Sequence, residues 1–251
     1  MKILITNDDG IQSPGILSLR DVLSRKHDVW IMAPDGDRSG FSQSITLRDP
    51  VKIVKKDERM YSCSGTPVDC VVYGYSNFLA KDFDIVLSGI NIGPNLGTDI
   101  LYSGTAAAAR QGALKNLPSI ALSLNQFEGP FNFEVVSEYL LERLEDLVSL
   151  WDDSCFLNMN FPPEMDKNTE MKWCTPAVRT YRDEVVQFSA PREPNSTYCL
   201  LKGNLIHSVE EEGTDALAVH SGYVAISAIR LSPSIVTHIG KVPEKVGICC
   251  R

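Results

Sequence analysis

The sequence has few histidines, no surplus of positive charge, no regular cysteine spacing and no long apolar run. Each absence removes a class of protein. Lys and Arg number 24 against 32 Asp and Glu, a formal net charge of −8. A general nucleic-acid binder usually needs a basic face, so stable nucleic-acid binding is not expected. A small anionic substrate is still compatible, because a local site can oppose the net charge. The seven cysteines (Cys63, Cys70, Cys155, Cys174, Cys199, Cys249 and Cys250) are odd in number, unevenly spaced and free of C-x-x-C. That excludes a disulfide scaffold or a structural zinc site as the first reading and favours reduced thiols. No apolar run is long enough to cross a bilayer. The N-terminus enters a strand-like run without a basic segment, an apolar segment or a cleavage site. These absences predict a cytoplasmic chain with no membrane attachment.

What is present reads as globular. The 251 residues, 43% hydrophobic and 22% charged, suffice for one large core or a core with an extension. The first half alternates strand-like and helical patterns. Strands are expected at Lys2–Thr6, Asp28–Ala33, Val51–Val54, Met60–Cys63, Asp84–Leu87, Ser119–Leu124 and Cys155–Asn158. Ser13-Pro14 and Thr66-Pro67-Val68-Asp69 look like helix starts, each an N-cap followed by proline at N1. Asp69 would complete a capping box, and that helix should run to about Leu79. Further helices are expected from Thr105 to about Lys115 and over Phe133–Trp151. Strands separated by helices imply βαβ units. The predicted fold is therefore α/β, a Rossmann-like doubly wound and mainly parallel sheet over residues 1–165. Beyond it, Val178–Tyr181, Val185–Phe188, Tyr198–Leu201 and Tyr223–Ile229 look like strands without intervening helices. Residues 166–251 are read as a β-rich C-terminal extension.

In an open α/β sheet, ligands bind beyond the carboxyl ends of the strands. Three unusual loops follow predicted strands: NDDG at residues 7–10, DGDRSG at 35–40 and SGINIGPNLG at 88–97. The first is not a dinucleotide fingerprint, which relies on bare glycine backbone. Two carboxylates there would repel a phosphate by about 4 kcal/mol per charge pair at ~4 Å and an effective dielectric near 20. A cation between them would reverse the sign. Carboxylate, hydroxyl and amide oxygens suit hard ions. Asp8 and Asp9 are the first candidate ligands, and Ser39 and Asn91 offer matching oxygens on the other two loops. One aspartate alone would more often be a turn cap, and Asn or Ser alone more often has only a backbone role. Ser103-Gly104-Thr105 then opens a helix, a place where free N–H groups and the dipole favour an anion. Asn95, Ser103 and Thr105 supply polar side chains there, and Gly104 lets the backbone approach. Simple N-capping by Ser103 is the plainer alternative. Arg38 could add charge for phosphate or lie solvated on the surface. His27, His207, His220 and His238 all lie outside these loops.

A cation beside a helix start points to metal-assisted phosphoester hydrolysis, with Asp8 or Asp9 as base or nucleophile. A phospho-acceptor receiver module also places paired acids after its first strand. It needs a further aspartate at another strand end, where this chain has Ser88-Gly89.

The blocks NDDGIQSPGI, APDGDRSG, SGTPVDCV and DIVLSGINIGPNLGTDILYSGTAAAA, and later GTDALAVHSGYVAIS, resemble the SurE family of survival-protein nucleotidases. The resemblance runs from residue 1 to roughly 160 and returns at about 213–230. It implies a Rossmann-like core, a C-terminal extension used in dimerisation, and one divalent cation per subunit, Mg²⁺ or Mn²⁺ ahead of Ca²⁺. It also implies dephosphorylation of nucleoside 5′-monophosphates, with 3′-nucleotides and polyphosphate as further substrates, in a homodimer or homotetramer. Carried over by motif, the catalytic and metal-binding residues are Asp8 and Asp9, with Ser39 and Asn91 completing the metal set. The phosphate side maps to Asn95, Ser103, Gly104 and Thr105.

Overall fold

In this computed structural model, residues 1–76, 78–79, 82–189 and 196–232 are described. The first strand, β1 (Lys2–Thr6), is apolar on both faces, with Ile3, Leu4 and Ile5 fully buried. Side chains alternate across a sheet. Ile3 and Ile5 accordingly join the core beneath α1 (Pro14–Leu23) and α4 (Phe133–Ser149), while Leu4 joins the core on the opposite face. That second core lies beneath α2 (Pro67–Tyr75) and α3 (Gly104–Ala113), with Cys70, Val71 and Ala108 against Leu4 and Val86. Burying each such Leu or Ile contributes about 1.5–3 kcal/mol. Two helical layers thus sandwich one sheet.

Beside β1 lie β2 (Asp28–Pro34) and β5 (Ile85–Ile92), both parallel to it. Outward from β2 come β4 (Met60–Cys63), parallel, and β3 (Ile53–Asp57), antiparallel. Outward from β5 come β6 (Ser119–Leu124) and β7 (Cys155–Phe161), both parallel. The chain therefore builds first to one side of β1 and then to the other, so the topological switch lies between β1 and β5. This confirms the α/β reading.

Several elements differ from the sequence expectations. β5 continues past Ser88 to Ile92, because Asn91 and Ile92 still pair with Ser123 and Leu124 after a register shift. Asn91 is thus on a strand end and not in a loop. α2 ends at Tyr75, short of Leu79, with Ser76 already extended. Ser13 precedes Pro14 at N1 as expected, but its hydroxyl makes no capping bond. The capping box of α2 does form. Asp69 N–H donates to Thr66 Oγ1 at 3.2 Å, and Thr66 N–H to Asp69 Oδ2 at 2.9 Å.

Beyond residue 165 the chain does two things. β8 (Met171–Trp173) and β11 (Val224–Arg230) extend the large sheet, β11 running antiparallel to β7. β9 (Arg179–Ser189) and β10 (Thr197–Ser208) form a separate antiparallel pair. The two short strands expected within 178–188 are one continuous strand. A short helix, α5 (Asp215–His220), corrects the expectation that no helix lies among these strands. Thr214 caps it, its hydroxyl oxygen accepting from Leu217 N–H. The sequence after residue 232, with His238, Cys249 and Cys250, lies outside the described residues. Among the described residues the cysteines are free thiols, and no helix is long and apolar enough to cross a membrane.

Candidate active site

With β2, β1 and β5 adjacent in the sheet, the loops that follow them converge at the switch point. They border a cleft of about 510 Å³. Asp8, Ser39, Asn91, Asn95 and Ser103 all line it. Asp9, Gly104 and Thr105 lie beside or behind that wall, each through a direct contact.

Asp8 is only 4% exposed. The Thr105 hydroxyl donates to its Oδ1, and its own carbonyl accepts Arg38 N–H at 2.8 Å. α3 starts against this carboxyl. A Cβ on Gly104 would come within 2.8 Å of the Asp8 Cβ, so the absence of a side chain there permits the approach. The Thr105 backbone N–H also favours the charged carboxylate. The helix start expected to hold an anion therefore already faces one, supplied by the chain itself. Burial nevertheless wins and raises the Asp8 pKa. Asp9 is less enclosed, its Oδ2 accepting Ile92 N–H at 3.3 Å. Burial first, then the neighbouring Asp8 charge, pushes its carboxyl up to about 7. Asp37 adds a third negative charge nearby and raises both.

The neutral residues are held so that oxygen atoms stay available. Asn91 Nδ2 donates to the Gly93 carbonyl at 2.9 Å, which leaves Oδ1 uncommitted by that bond. Ser39 is exposed and its hydroxyl donates to Asp37 Oδ1 at 2.6 Å, leaving oxygen lone pairs. Ser103 is the N-cap of α3, its Oγ accepting Ala106 N–H at 2.9 Å. Capping and cleft lining coexist, since the Ser103 hydroxyl hydrogen is not used by that bond. Arg38 is committed to its own loop and the neighbouring one. Its guanidinium donates to Asp35 Oδ1 at 2.8 Å and to the Ser64 carbonyl at 3.3 Å, tying the second loop to the end of β4.

Under the third loop lies a polar layer that sequence reasoning missed. Asn95 Nδ2 donates to Ser123 Oγ at 2.8 Å, and Asn95 N–H to Asn160 Oδ1 at 2.8 Å. Asn158 and Asn160 donate to the Asn95 carbonyl at 2.9 and 3.1 Å. The signal was there to read: two asparagines at strand spacing inside the otherwise apolar CFLNMNF run. Asp215 was missed too. This buried carboxylate accepts N–H bonds from Gly97, Ala177 and Ala216, each at 2.8 Å, pinning the third loop to α5. Gly97 itself is at φ +54°, and a Cβ there would meet the Ala177 carbonyl oxygen at 2.0 Å. Asp99, also in the cleft, receives hydrogen bonds from Arg179 and from Tyr181 Oη, both on β9.

Comparison with known proteins decides the family. The model of the family described as survival protein SurE matches residues 3–183. This chain belongs to the SurE family. A 5′-nucleotidase SurE of Petrotoga mobilis is 41% identical over 91% of this chain and 92% of its own length. One from Kosmotoga olearia is 38% identical over 98% of both. The crystal structure of the SurE protein from Aquifex aeolicus covers 93% of this chain and 95% of its own, with 34% identity and a TM-score of 0.79. The SurE match spans the three loops and reaches Arg179 and Tyr181, but the family model stops short of Asp215.

Proposed function

We propose that the chain is a divalent-cation-dependent phosphatase that hydrolyses nucleoside 5′-monophosphates to nucleoside and phosphate. The observation that carries this reading is the pair Asp8 and Asp9 at the switch point, with Ser39 and Asn91 oxygens beside the same cleft. The nucleotidase names of its relatives support the substrate class.

The fit of a cation rests on the donor set. Two carboxylates whose pKa values are raised by burial, and in Asp9 also by the neighbouring Asp8 charge, are poorly tolerated charges. The oxygens of Ser39 and Asn91 are the hard, neutral ligands that accompany carboxylates around Mg²⁺ or Mn²⁺, with Ca²⁺ the looser alternative. Among the described residues no group of three or more His, Cys, Asp or Glu side chains is arranged for a metal, so the ion would depend on these mixed oxygens. Bound there, a divalent cation supplies charge neutralisation for the phosphate and acidifies water.

The chain's own residues do the rest. Thr105 and the first turn of α3 fix Asp8. Asp9, the less enclosed of the two, takes a proton from the water attacking phosphorus while the bond from phosphorus to the ester oxygen breaks, and that oxygen leaves with the nucleoside, taking a proton from solvent in the open cleft. Asn95 offers the second hydrogen of its amide, Ser103 its hydroxyl hydrogen, and Gly104 a first-turn N–H to the phosphate oxygens. Thr105 serves that site from behind Asp8. Exposed Val185, Phe188, Leu200 and Leu201 on the β9–β10 hairpin support self-association as a homodimer or homotetramer. The free thiols favour a cytoplasmic setting.

The test is phosphate release from a panel of 5′- and 3′-nucleotides and polyphosphate, with Mg²⁺, Mn²⁺ or EDTA. Release from 5′-monophosphates that EDTA abolishes is expected. Turnover indifferent to chelation would sink the cation, and absence of release from every nucleotide would sink the activity. Release from 3′-nucleotides and polyphosphate is expected as well, and its absence would narrow the substrate range.

A further inference from the structure

Past the carboxylates, the cleft reaches three aromatic rings from three separate parts of the chain. Tyr102 ends the 3-10 turn over Gly97–Leu101 and is 69% exposed. Phe127 stands on the turn after β6 and is 74% exposed. Tyr181 lies on β9 and is 39% exposed. A single exposed apolar side chain is ordinary, but several bordering one cleft mark a binding surface.

Their mounting is firm. Phe127 packs over Gly93, where a Cβ would fall within 2.6 Å of the ring. Gly93 N–H donates to the Gln126 carbonyl at 3.0 Å, and the Gln126 side chain closes the turn onto the Glu128 and Pro130 carbonyls at 2.7 and 2.9 Å. The Tyr102 backbone is held from two sides, donating to the Asp99 carbonyl at 3.0 Å and accepting Ser42 N–H at 3.2 Å. Tyr181 is anchored by its hydroxyl on Asp99 at 2.8 Å. None of these rings contributes to the carboxylate chemistry. Braced aromatic faces that share a cleft with a phosphate site suit a flat, aromatic ligand joined to that phosphate.

We propose that Phe127 and Tyr102, with Tyr181 beside them, form the nucleobase subsite and recognise the base by stacking. The inference rests on the nucleotidase reading above and extends it from the phosphate to the other end of the substrate. Every base presents a π-face, so the subsite selects nucleotides as a class over phosphate esters without a base.

The test compares kcat/KM for adenosine 5′-monophosphate and ribose 5-phosphate in the intact protein, Phe127→Ala, Tyr102→Ala and Phe127→Trp. The intact protein should prefer the nucleotide. Each alanine variant should lower the nucleotide-to-sugar ratio by about tenfold, through KM with kcat little changed. Phe127→Trp should restore it. Equal kcat/KM for both substrates in the intact protein, or an alanine variant that lowers both alike, would overturn the subsite. Calorimetric binding of adenosine, which carries no phosphate, separates this inference from the activity. If neither ester were hydrolysed, adenosine binding that Phe127→Ala abolishes would still uphold the subsite. Absent binding, or binding unchanged by Phe127→Ala, would refute it.

Discussion

The carboxylate wall of the cleft rises from strands buried on both faces, whereas the facing wall comes from the base of a hairpin whose strands are largely exposed. Asp8 is held by Thr105, by the start of α3 and by the packing of β1 between two helical layers. On the other side, Arg179 and Tyr181 grip Asp99, and Thr98 exchanges hydrogen bonds with the Arg179 backbone at 2.7 and 3.2 Å. The core fixes position through many redundant contacts, so it suits reacting groups. The hairpin reaches the site through a few strong polar ones, so it suits a wall that shapes the ligand.

Substitutions should separate the two walls. The largest effect is expected from Asp9→Asn in the core wall. Phosphate release should fall on the order of a hundredfold or more, while thermal melting stays near that of the intact protein. Full activity in that variant would return Asp9 to the modest task of accepting Ile92 N–H. Next is Arg179→Met in the hairpin wall, which leaves the Asp99 carboxylate poorly exposed and without its cation. Stability in urea should drop by about 3 kcal/mol. A change below about 0.5 kcal/mol would show that β9 merely leans on the site.

A smaller effect concerns pH in chelator. The Asp9 carboxyl has a folded pKa of about 7, above its ordinary 3.8, and Asp8 shifts in the same direction. Between those values the folded chain holds protons that the unfolded chain has released. Their contribution to stability is full below about 4 and is lost as pH rises through about 7. Melting temperature in EDTA should therefore fall as pH goes from 5 to 8, and Mn²⁺ should flatten that slope by replacing the proton. A melting temperature that climbs over the same range would contradict it. The smallest effect is Ser39→Ala. The exposed hydroxyl already leans on Asp37, so half-saturation by cation should rise about fivefold, the worth of one neutral ligand near 1 kcal/mol. An unchanged titration would remove Ser39 from the ligand set.

The core wall was also the legible one. Strands buried on both faces leave continuous apolar runs, and Asp8 and Asp9 stand out because charge at the end of such a run is a local anomaly. The capping box of α2 spans four residues, so a short window contains it whole. Asn91 was found as a residue but misplaced. Ser88-Gly89 has the composition of a turn, and the irregular pairing that carries β5 through it depends on β6. The hairpin wall leaves no comparable trace. Asp99 and Arg179 are 80 residues apart, and no local period links them. α5 has six residues, too few to display a helical repeat, although Thr214-Asp215 ahead of apolar residues was a readable start. Asp215 stands in the first turn of this helix, where an acidic residue is ordinary. Its role became visible only when Gly97, 118 residues away, was seen to donate to it.

Because β11 lies antiparallel against β7, the chain cannot be shortened freely. Ending it near residue 165 would turn β7 into an open edge. Its seven residues, Cys155–Phe161, are all buried in the intact fold. Such a bare, apolar edge would recruit strands from other molecules and aggregate. The hairpin is different, since among the described residues β9 and β10 pair only with each other. Its tip could be trimmed without opening any strand of the large sheet. The smallest self-sufficient unit is consequently discontinuous in sequence, with the last strand before residue 232 as indispensable as the first.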